Sequence, residues 1–173
     1  SMSNVNLYLG NAYEKYFHQN KSMGFLLDSA AFYYEKSLIY SKDFENNMIS
    51  AKINIANIYK VKKEFKKAEK RYFELMSITK EKRNEKDYYN VVYNLGELFY
   101  VQKKFDHALR CFAVVDSIYA EKPLGESEFV YSNYYQAKIY EELGDDSKSL
   151  EFSYNYLRHF EKLEKKLSNE RLN

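Results

Sequence analysis

Residues 93–116 read YNLGELFYVQKKFDHALRCFAVVD, and residues 53–76 read INIANIYKVKKEFKKAEKRYFELM. Both stretches contain a small residue, an aromatic three positions later, and then an aromatic, an alanine and another aromatic at matching places. The matched pairs are Ala56 and Gly96, Tyr59 and Phe99, Phe65 and Phe105, Ala68 and Ala108, and Tyr72 and Phe112. A pattern that recurs after 40 residues indicates a chain built from repeated units.

A third copy of the pattern occupies residues 134–157, which read YYQAKIYEELGDDSKSLEFSYNYL. It keeps Ala137 and Tyr140 in register, now at an offset of 41 residues. Its second half departs from the pattern. The aromatic, the alanine and the second aromatic of the other copies are replaced there by Asp146, Ser149 and Ser153.

The most divergent copy opens the chain. Its small residue is Gly10, and after a longer connection its second half carries Ala30 and Tyr34. A small residue within a helix lets a neighbouring helix approach, and an aromatic three residues later lies on the same face. The sequence therefore predicts four helix pairs in which small residues make room for aromatic rings.

Eight helices follow from this pattern. They are predicted at residues 4–19, 24–41, 45–62, 65–82, 87–103, 106–121, 127–143 and 146–168. The two helices of a pair should pack antiparallel because the polar turns between them are short. The pairs, at residues 4–41, 45–82, 87–121 and 127–168, are predicted to form one domain over residues 1–173.

The net charge argues against a nucleic-acid-binding protein, and the positions of the histidines argue against a metal site. The chain has 27 Lys and Arg against 25 Asp and Glu, so its net charge is only +2. The lysine-rich stretch 60–71 is interrupted by Glu64 and Glu69 and is interpreted as a solvated face, with a nucleic-acid patch as the less favoured alternative. The three histidines are scattered, so we expect no metal ligands among them.

Motifs of catalytic and cofactor sites are absent from the sequence. It contains no nucleophile elbow, Walker loop or dinucleotide fingerprint, and five glycines are too few to build them. The one cysteine, Cys111, lies beside Phe112 on a predicted helix and is interpreted as a buried structural thiol. An enzymatic role would have to use Glu97 or Glu141, and neither has an obvious partner. We therefore expect a protein that is not an enzyme and that needs no cofactor.

The sequence gives weak indications of where the protein works. No apolar run approaches the roughly 18 residues that cross a bilayer, and the start lacks the features of a signal peptide. One cysteine fits a reducing compartment, so a cytoplasmic location is expected. Ser1 and Met2 are interpreted as an expression remnant and the charged last residues as the edge of a piece of a longer protein. If that protein is a membrane-anchored sensor, the periplasm is the alternative.

The recurring small residue, aromatic, alanine and second aromatic resemble the pattern of the tetratricopeptide repeat family. The resemblance covers nearly the whole chain and is strongest in residues 53–76 and 93–116. It implies an all-α fold, a right-handed superhelical solenoid of about four antiparallel helix pairs. The spacing of 40 or 41 residues exceeds the usual ~34 and is similar to long-helix variants in bacterial regulatory and sensory proteins.

The resemblance also implies a binding groove. In the family, the first helix of each pair lines the concave side, where extended peptides or partner helices bind. Asn and Tyr dominate the corresponding positions; amides suit a peptide backbone and tyrosines suit an interface. The groove positions are Asn54, Asn57, Asn90, Tyr93, Asn94, Glu97, Tyr100, Tyr131, Tyr134, Tyr135 and Lys138, with Tyr8, Asn11 and Lys15 in the first pair.

Chaperone-binding members of the family hold a terminal carboxylate with two asparagines and several basic residues. Asn57 and Asn94 stand at the two asparagine places. Ile53, Tyr131 and Tyr135 stand where the basic residues would be, so this clamp is disfavoured.

Two functions remain open. The leading hypothesis is a non-catalytic scaffold that binds a protein or peptide in this groove, within a bacterial regulatory or sensory protein. The alternative is a structural element that mediates self-association or spacing and binds no separate ligand.

The last predicted helix carries one apolar stripe. Its members lie at steps of 7, 3, 3 and 4 residues and are Leu150, Leu157, Phe160, Leu163 and Leu167. We interpret this helix as a C-terminal cap, which an open solenoid needs for solubility. A linker helix or a dimer seam is the alternative.

Overall fold

The computed structural model describes residues 1–41 and 45–172, and all regular structure in those ranges is helical. The described residues form eight helices, α1 (Met2–Gln19), α2 (Phe25–Ile39), α3 (Glu45–Val61), α4 (Phe65–Glu81), α5 (Glu85–Val101), α6 (Phe105–Glu121), α7 (Glu126–Leu143) and α8 (Asp146–Leu172). The predicted all-α class and number of helices are confirmed. Most helix ends differ from the prediction by one or two residues, and α8 continues past the predicted end at residue 168.

Three of the turns within pairs share one backbone geometry. Lys63, Lys103 and Gly144 each lie seven residues after the small residue of their repeat and have left-handed φ angles of 61°, 57° and 74°. After the first of them, the amide of Glu64 donates to the carbonyl of Tyr59 at 2.8 Å, which closes the end of α3. The other two turns repeat this bond at 2.9 Å. Each first helix therefore stops at a fixed distance from its small residue, and the second helix starts in register.

Contacts between helices divide the chain into two compact units, Ser1–Arg83 and Asn84–Asn173. In the first unit, α1 contacts α2 and α3, α2 contacts α3, and α3 contacts α4. In the second unit, α5 contacts α6 and α7, α6 contacts α7, and α7 contacts α8. Each unit by itself is consistent with a helical-repeat solenoid. A single domain over residues 1–173 and a right-handed superhelix stay predictions.

The core of the first unit forms around the ring of Tyr34. This side chain is completely buried, and its ring lies so close to Gly10 that a Cβ there would collide with it. Phe17, Ala30 and Ile55 belong to the same apolar cluster. The pairing of small residue and aromatic predicted from the sequence is thus present between α1 and α2.

The second unit repeats this packing with a phenylalanine. A Cβ at Gly96 would lie 2.7 Å from Cε1 of Phe112, and the Phe112 side chain is fully buried. Ala108 and Val115, one turn away on either side of that ring, are also fully buried. The glycine in α5 therefore sets how closely α6 can approach.

The apolar stripe of α8 is only partly used in packing. Leu163 is buried, whereas Leu150 is 73% exposed and Leu157 is 57% exposed. The helix packs along α7, and its role as a cap stays a prediction. Among the described residues, no helix combines the length and apolarity that a membrane span requires.

Candidate functional site

The hydroxyl of Tyr34 organises a polar cluster in the first unit. Its oxygen lies 2.8 Å from Oδ1 of Asn11 and 2.7 Å from Oε2 of Glu14, and these two acceptors share its single proton. Asn54 of α3 donates to the same Asn11 oxygen at 3.1 Å. Burial, and then the Glu14 carboxylate, raise the pKa of Tyr34, so the hydroxyl remains a donor at neutral pH. Two predicted groove amides, those of Asn11 and Asn54, are therefore bonded within their own chain.

Asn57 has the same kind of partner in the second helix pair. The hydroxyl of Tyr72, a fully buried side chain on α4, donates to Oδ1 of Asn57. Asn57 and Asn11 both follow the small residue of their repeat. The predicted role of Asn57, gripping a peptide with its amide donor and acceptor together, would compete with this internal bond.

Glu97 follows the small residue of the third pair, Gly96, and two tyrosines donate to its carboxylate. Its Oε1 accepts from Tyr93 of the same helix at 3.1 Å and from Tyr135 of α7 at 2.7 Å. Burial raises the pKa of both tyrosines, and the Glu97 charge raises it further. The Tyr135 ring also stacks on Phe112, with centroids 5.6 Å apart and planes 6° apart. Glu97 therefore fixes tyrosines between α5 and α7, which the sequence did not indicate.

The remaining two predicted asparagines lie one turn apart on α5. Nδ2 of Asn94 donates to the backbone carbonyl of Asn90 at 2.8 Å, and both side chains are half-buried. Asn94 thus also has a partner within its own helix.

Five tyrosines of the second unit form a connected surface, which we call the tyrosine face. It consists of Tyr100 on α5, Tyr131, Tyr134 and Tyr135 on α7, and Tyr156 on α8. Ring centroids are 4.9 Å apart for Tyr100 and Tyr135, 5.4 Å for Tyr134 and Tyr135, and 5.5 Å for Tyr134 and Tyr156. Tyr131 is 40% exposed and Tyr134 is 37% exposed. Four of these five are predicted groove residues; Tyr156 was not predicted.

A cavity of about 230 Å³ adjoins the tyrosine face between α7 and α8. Its lining residues are Tyr134, Ala137, Lys138, Glu141, Ser153, Tyr156 and Leu157. Nζ of Lys138 lies 2.7 Å from Oε2 of Glu141 at its polar side. The cavity was not predicted, although a serine at position 153, where the stronger repeats have an aromatic, was a signal for it.

A second feature missed by the sequence analysis is a polar bridge between α6 and α7. Ser132 donates to Oδ1 of Asp116 at 2.7 Å, and Gln136 donates to Oδ2 at 2.8 Å. Burial raises the pKa of Asp116, while these two hydrogen bonds oppose the rise. Ser132 and Gln136 lie one turn apart on one face of α7, a spacing that could have revealed them. The bridge fixes the position of α7, which carries most of the tyrosine face.

No group of three or more His, Cys, Asp or Glu side chains is arranged for a metal within the described residues. Cys111 is partly rather than fully buried, and burial raises its pKa to about 11. The thiol is therefore protonated, and unreactive as a nucleophile, at neutral pH.

The sequence matches no protein-family model and no curated protein. Among solved structures, the chain is similar to the crystal structure of BtubC (BKLC) from P. vanneervenii, with a TM-score of 0.73 and 20% sequence identity. The similarity covers 94% of this chain and 64% of BtubC, so the chain spans less than two thirds of that protein's length. At this level of identity, the likeness establishes a shared fold alone.

Proposed function

We propose that this protein is a non-catalytic scaffold of the tetratricopeptide type, which binds a protein or peptide segment on the first-helix side of its repeats. The proposed context is a bacterial regulatory or sensory protein, in agreement with the long repeat spacing. The tyrosine face is the proposed contact surface in the second unit.

The connected tyrosine face is the observation that carries the proposal. Tyr131 and Tyr134 each expose more than a third of their surface. Their ring centroids lie 6.3 Å and 5.5 Å from the ring centroid of Tyr156. Clustered tyrosines offer rigid apolar area with a polar tip, which is the chemistry of interface anchors. Because neighbouring rings already restrict them, binding would cost little additional side-chain entropy.

The predicted groove asparagines make hydrogen bonds within the chain, so the proposed contact surface consists of the tyrosines and not of the amides. Substituting Asn57 would remove an acceptor from buried Tyr72 and would weaken the fold. A loss of binding in such a variant would not report on the surface. The exposed tyrosines are the better positions to test.

The proposal is tested by selecting binders from a displayed library of random peptides with the wild-type protein. Enriched peptides are synthesised, and their dissociation constants are measured by fluorescence anisotropy against three proteins. These are the wild type, Tyr131→Ala/Tyr134→Ala, and the control Phe73→Ala, which removes a 43% exposed aromatic from a second helix, α4. Circular dichroism checks that all three are equally folded.

We expect the double variant to bind the peptides at least about tenfold more weakly, because truncating a hot-spot tyrosine costs about 2 kcal/mol or more and about 1.4 kcal/mol is tenfold in affinity. The control should bind like the wild type. Equal binding by all three proteins would refute the tyrosine face as the contact surface.

Self-association is the second candidate function, and one observation favours it. Leu150, Tyr154 and Leu157 lie along one side of α8 and are each more than half exposed. A patch of this kind can join two copies. Sedimentation equilibrium distinguishes the two functions: a mass that rises with concentration in wild type, but not in Leu150→Ser/Leu157→Ser, supports self-association.

A further inference from the structure

The fourth helix pair lacks an aromatic that the other three pairs have in their second helix. The second helix of each of the first three pairs carries an aromatic at this position: Tyr34, Tyr72 and Phe112, all fully buried. In the first and third pairs, its ring lies against the small residue of the first helix. Ser153 occupies the position in the fourth pair.

The cavity between α7 and α8 lies where the missing ring would be. It is lined by both Ala137, the small residue, and Ser153. Alanine at the small position is compatible with a ring, because Ala56 stands there in the pair that buries Tyr72. A cavity of about 150 Å³ can hold a benzene molecule, so about 230 Å³ leaves room for a phenol. Tyr134 and Tyr156 supply aromatic walls.

The polar side of the cavity also corresponds to a place that receives a tyrosine hydroxyl. In the first pair, Tyr34 donates to Glu14, which lies four residues after Gly10. Glu141 lies four residues after Ala137 and lines the cavity. Its carboxylate pairs with Lys138 through one oxygen and has a second oxygen with which to accept a phenolic proton.

We propose that this cavity binds a tyrosine side chain of a partner segment. The ring occupies the space over Ala137, and the hydroxyl donates to Glu141. The inference rests on the proposed function and names the side chain that the scaffold recognises. A negatively charged acceptor at the end of an aromatic-walled cavity complements a phenol and gives no such bond to phenylalanine.

The probe is N-acetyl-L-tyrosinamide, titrated into isotopically labelled protein and followed by NMR, with N-acetyl-L-phenylalaninamide as the matched ligand. Two variants accompany the wild type. Ser153→Tyr fills the cavity with a ring of the chain itself, and Glu141→Gln removes the charged acceptor at an exposed position. Glu151→Tyr is the control, because it adds a tyrosine at an exposed position of α8 outside the cavity lining.

We expect resonance shifts concentrated at Ala137, Lys138 and Ser153, and tighter binding of the tyrosine probe by about three- to tenfold. Glu141→Gln should reduce this preference, because its neutral amide oxygen accepts a phenolic proton more weakly than the carboxylate does. Ser153→Tyr should abolish the shifts while Glu151→Tyr retains them. Equal binding of both probes, shifts elsewhere only, or unchanged binding to a folded Ser153→Tyr would each overturn the inference. If Ser153→Tyr fails to fold, Glu141→Gln alone decides the question through the probe preference.

The selected peptides separate this inference from the proposed function. Peptides that bind wild type and Ser153→Tyr equally, but lose affinity for Tyr131→Ala/Tyr134→Ala, would overturn the cavity and leave the scaffold standing. Peptides that bind all of these proteins equally would overturn both.

Discussion

The first and fourth helix pairs follow the same repeat but treat its central position in opposite ways. In the first pair, Tyr34 is fully buried against Gly10. In the fourth pair, Ser153 is half-buried beside a cavity of about 230 Å³. Both pairs keep their helices in contact. The ring therefore fills the space between the two helices, and the helices pack against each other without it.

Contacts at other positions hold α7 against α8 and α6. Tyr140 of α7 stacks on Phe152 of α8, with centroids 5.6 Å apart and planes 12° apart. The bridge from Asp116 to Ser132 and Gln136 ties α7 to α6. These contacts leave an opening beside an intact pair.

Emptying the first pair should have the largest effect on stability. Tyr34→Ala would open in the first pair a vacancy like that of the fourth pair, and removal of a buried aromatic costs about 3 to 5 kcal/mol. Urea denaturation followed by circular dichroism measures the change. Tyr34→Phe, which keeps the ring, should lose about 1 kcal/mol. If Tyr34→Ala lowered the free energy of unfolding by less than about 1 kcal/mol, the first pair would tolerate the vacancy as the fourth pair does.

Crowding the third pair tests how tightly the ring packs. Gly96→Ala places a Cβ 2.7 Å from the Phe112 ring, so that α6 must shift. We expect a loss of about 1 to 3 kcal/mol in the free energy of unfolding. Gly24→Ala is the matched control, because nothing lies within 4 Å of its added Cβ. Equal melting temperatures for the two variants would contradict the close approach of these helices.

Placing an aromatic in the cavity of the fourth pair tests whether this pair can accept the ring that the other pairs have. Ser153→Phe makes this pair resemble the third, and cavity-filling substitutions commonly add about 0.5 to 2 kcal/mol. The gain should appear as a higher urea midpoint with an unchanged slope. A lower midpoint would show that the opening cannot accommodate a ring supplied by α8.

The smallest expected effect concerns the turns. Lys103 takes the left-handed backbone that Gly144 takes in the fourth pair. Lys103→Gly should stabilise the protein by about 0.5 kcal/mol, since relief of the left-handed strain exceeds the added freedom of the unfolded chain. Lys104→Gly, at the next residue, where φ is −86°, should instead be destabilising. Thermal melts of the two variants in parallel measure the difference.

The helix boundaries were predictable because they depend on local signals. The small residues, the aromatics at fixed distances and the polar turns placed all eight helices, and most ends agree within two residues. The close contact between Gly10 and Tyr34 was likewise anticipated, since both residues stand at repeat positions despite the longer connection between their helices.

The roles of the predicted groove residues were less accessible to the sequence. Asn57 reads as a free amide in a helix, yet it accepts from Tyr72 of the following helix. Glu97 reads as an acid without a partner, yet Tyr93 and Tyr135 donate to it. The tyrosine that completes this arrangement lies 38 residues away from Glu97.

The sequence by itself determined the repeat, the helices and the residues that pack within each pair, because helical periodicity and short turns act over a few residues. Only the tertiary structure decided which polar side chains are occupied internally, which tyrosines form a surface, and where Ser153 leaves an opening. Those features depend on distances between side chains of different helices, and such distances are set by the packing of whole elements.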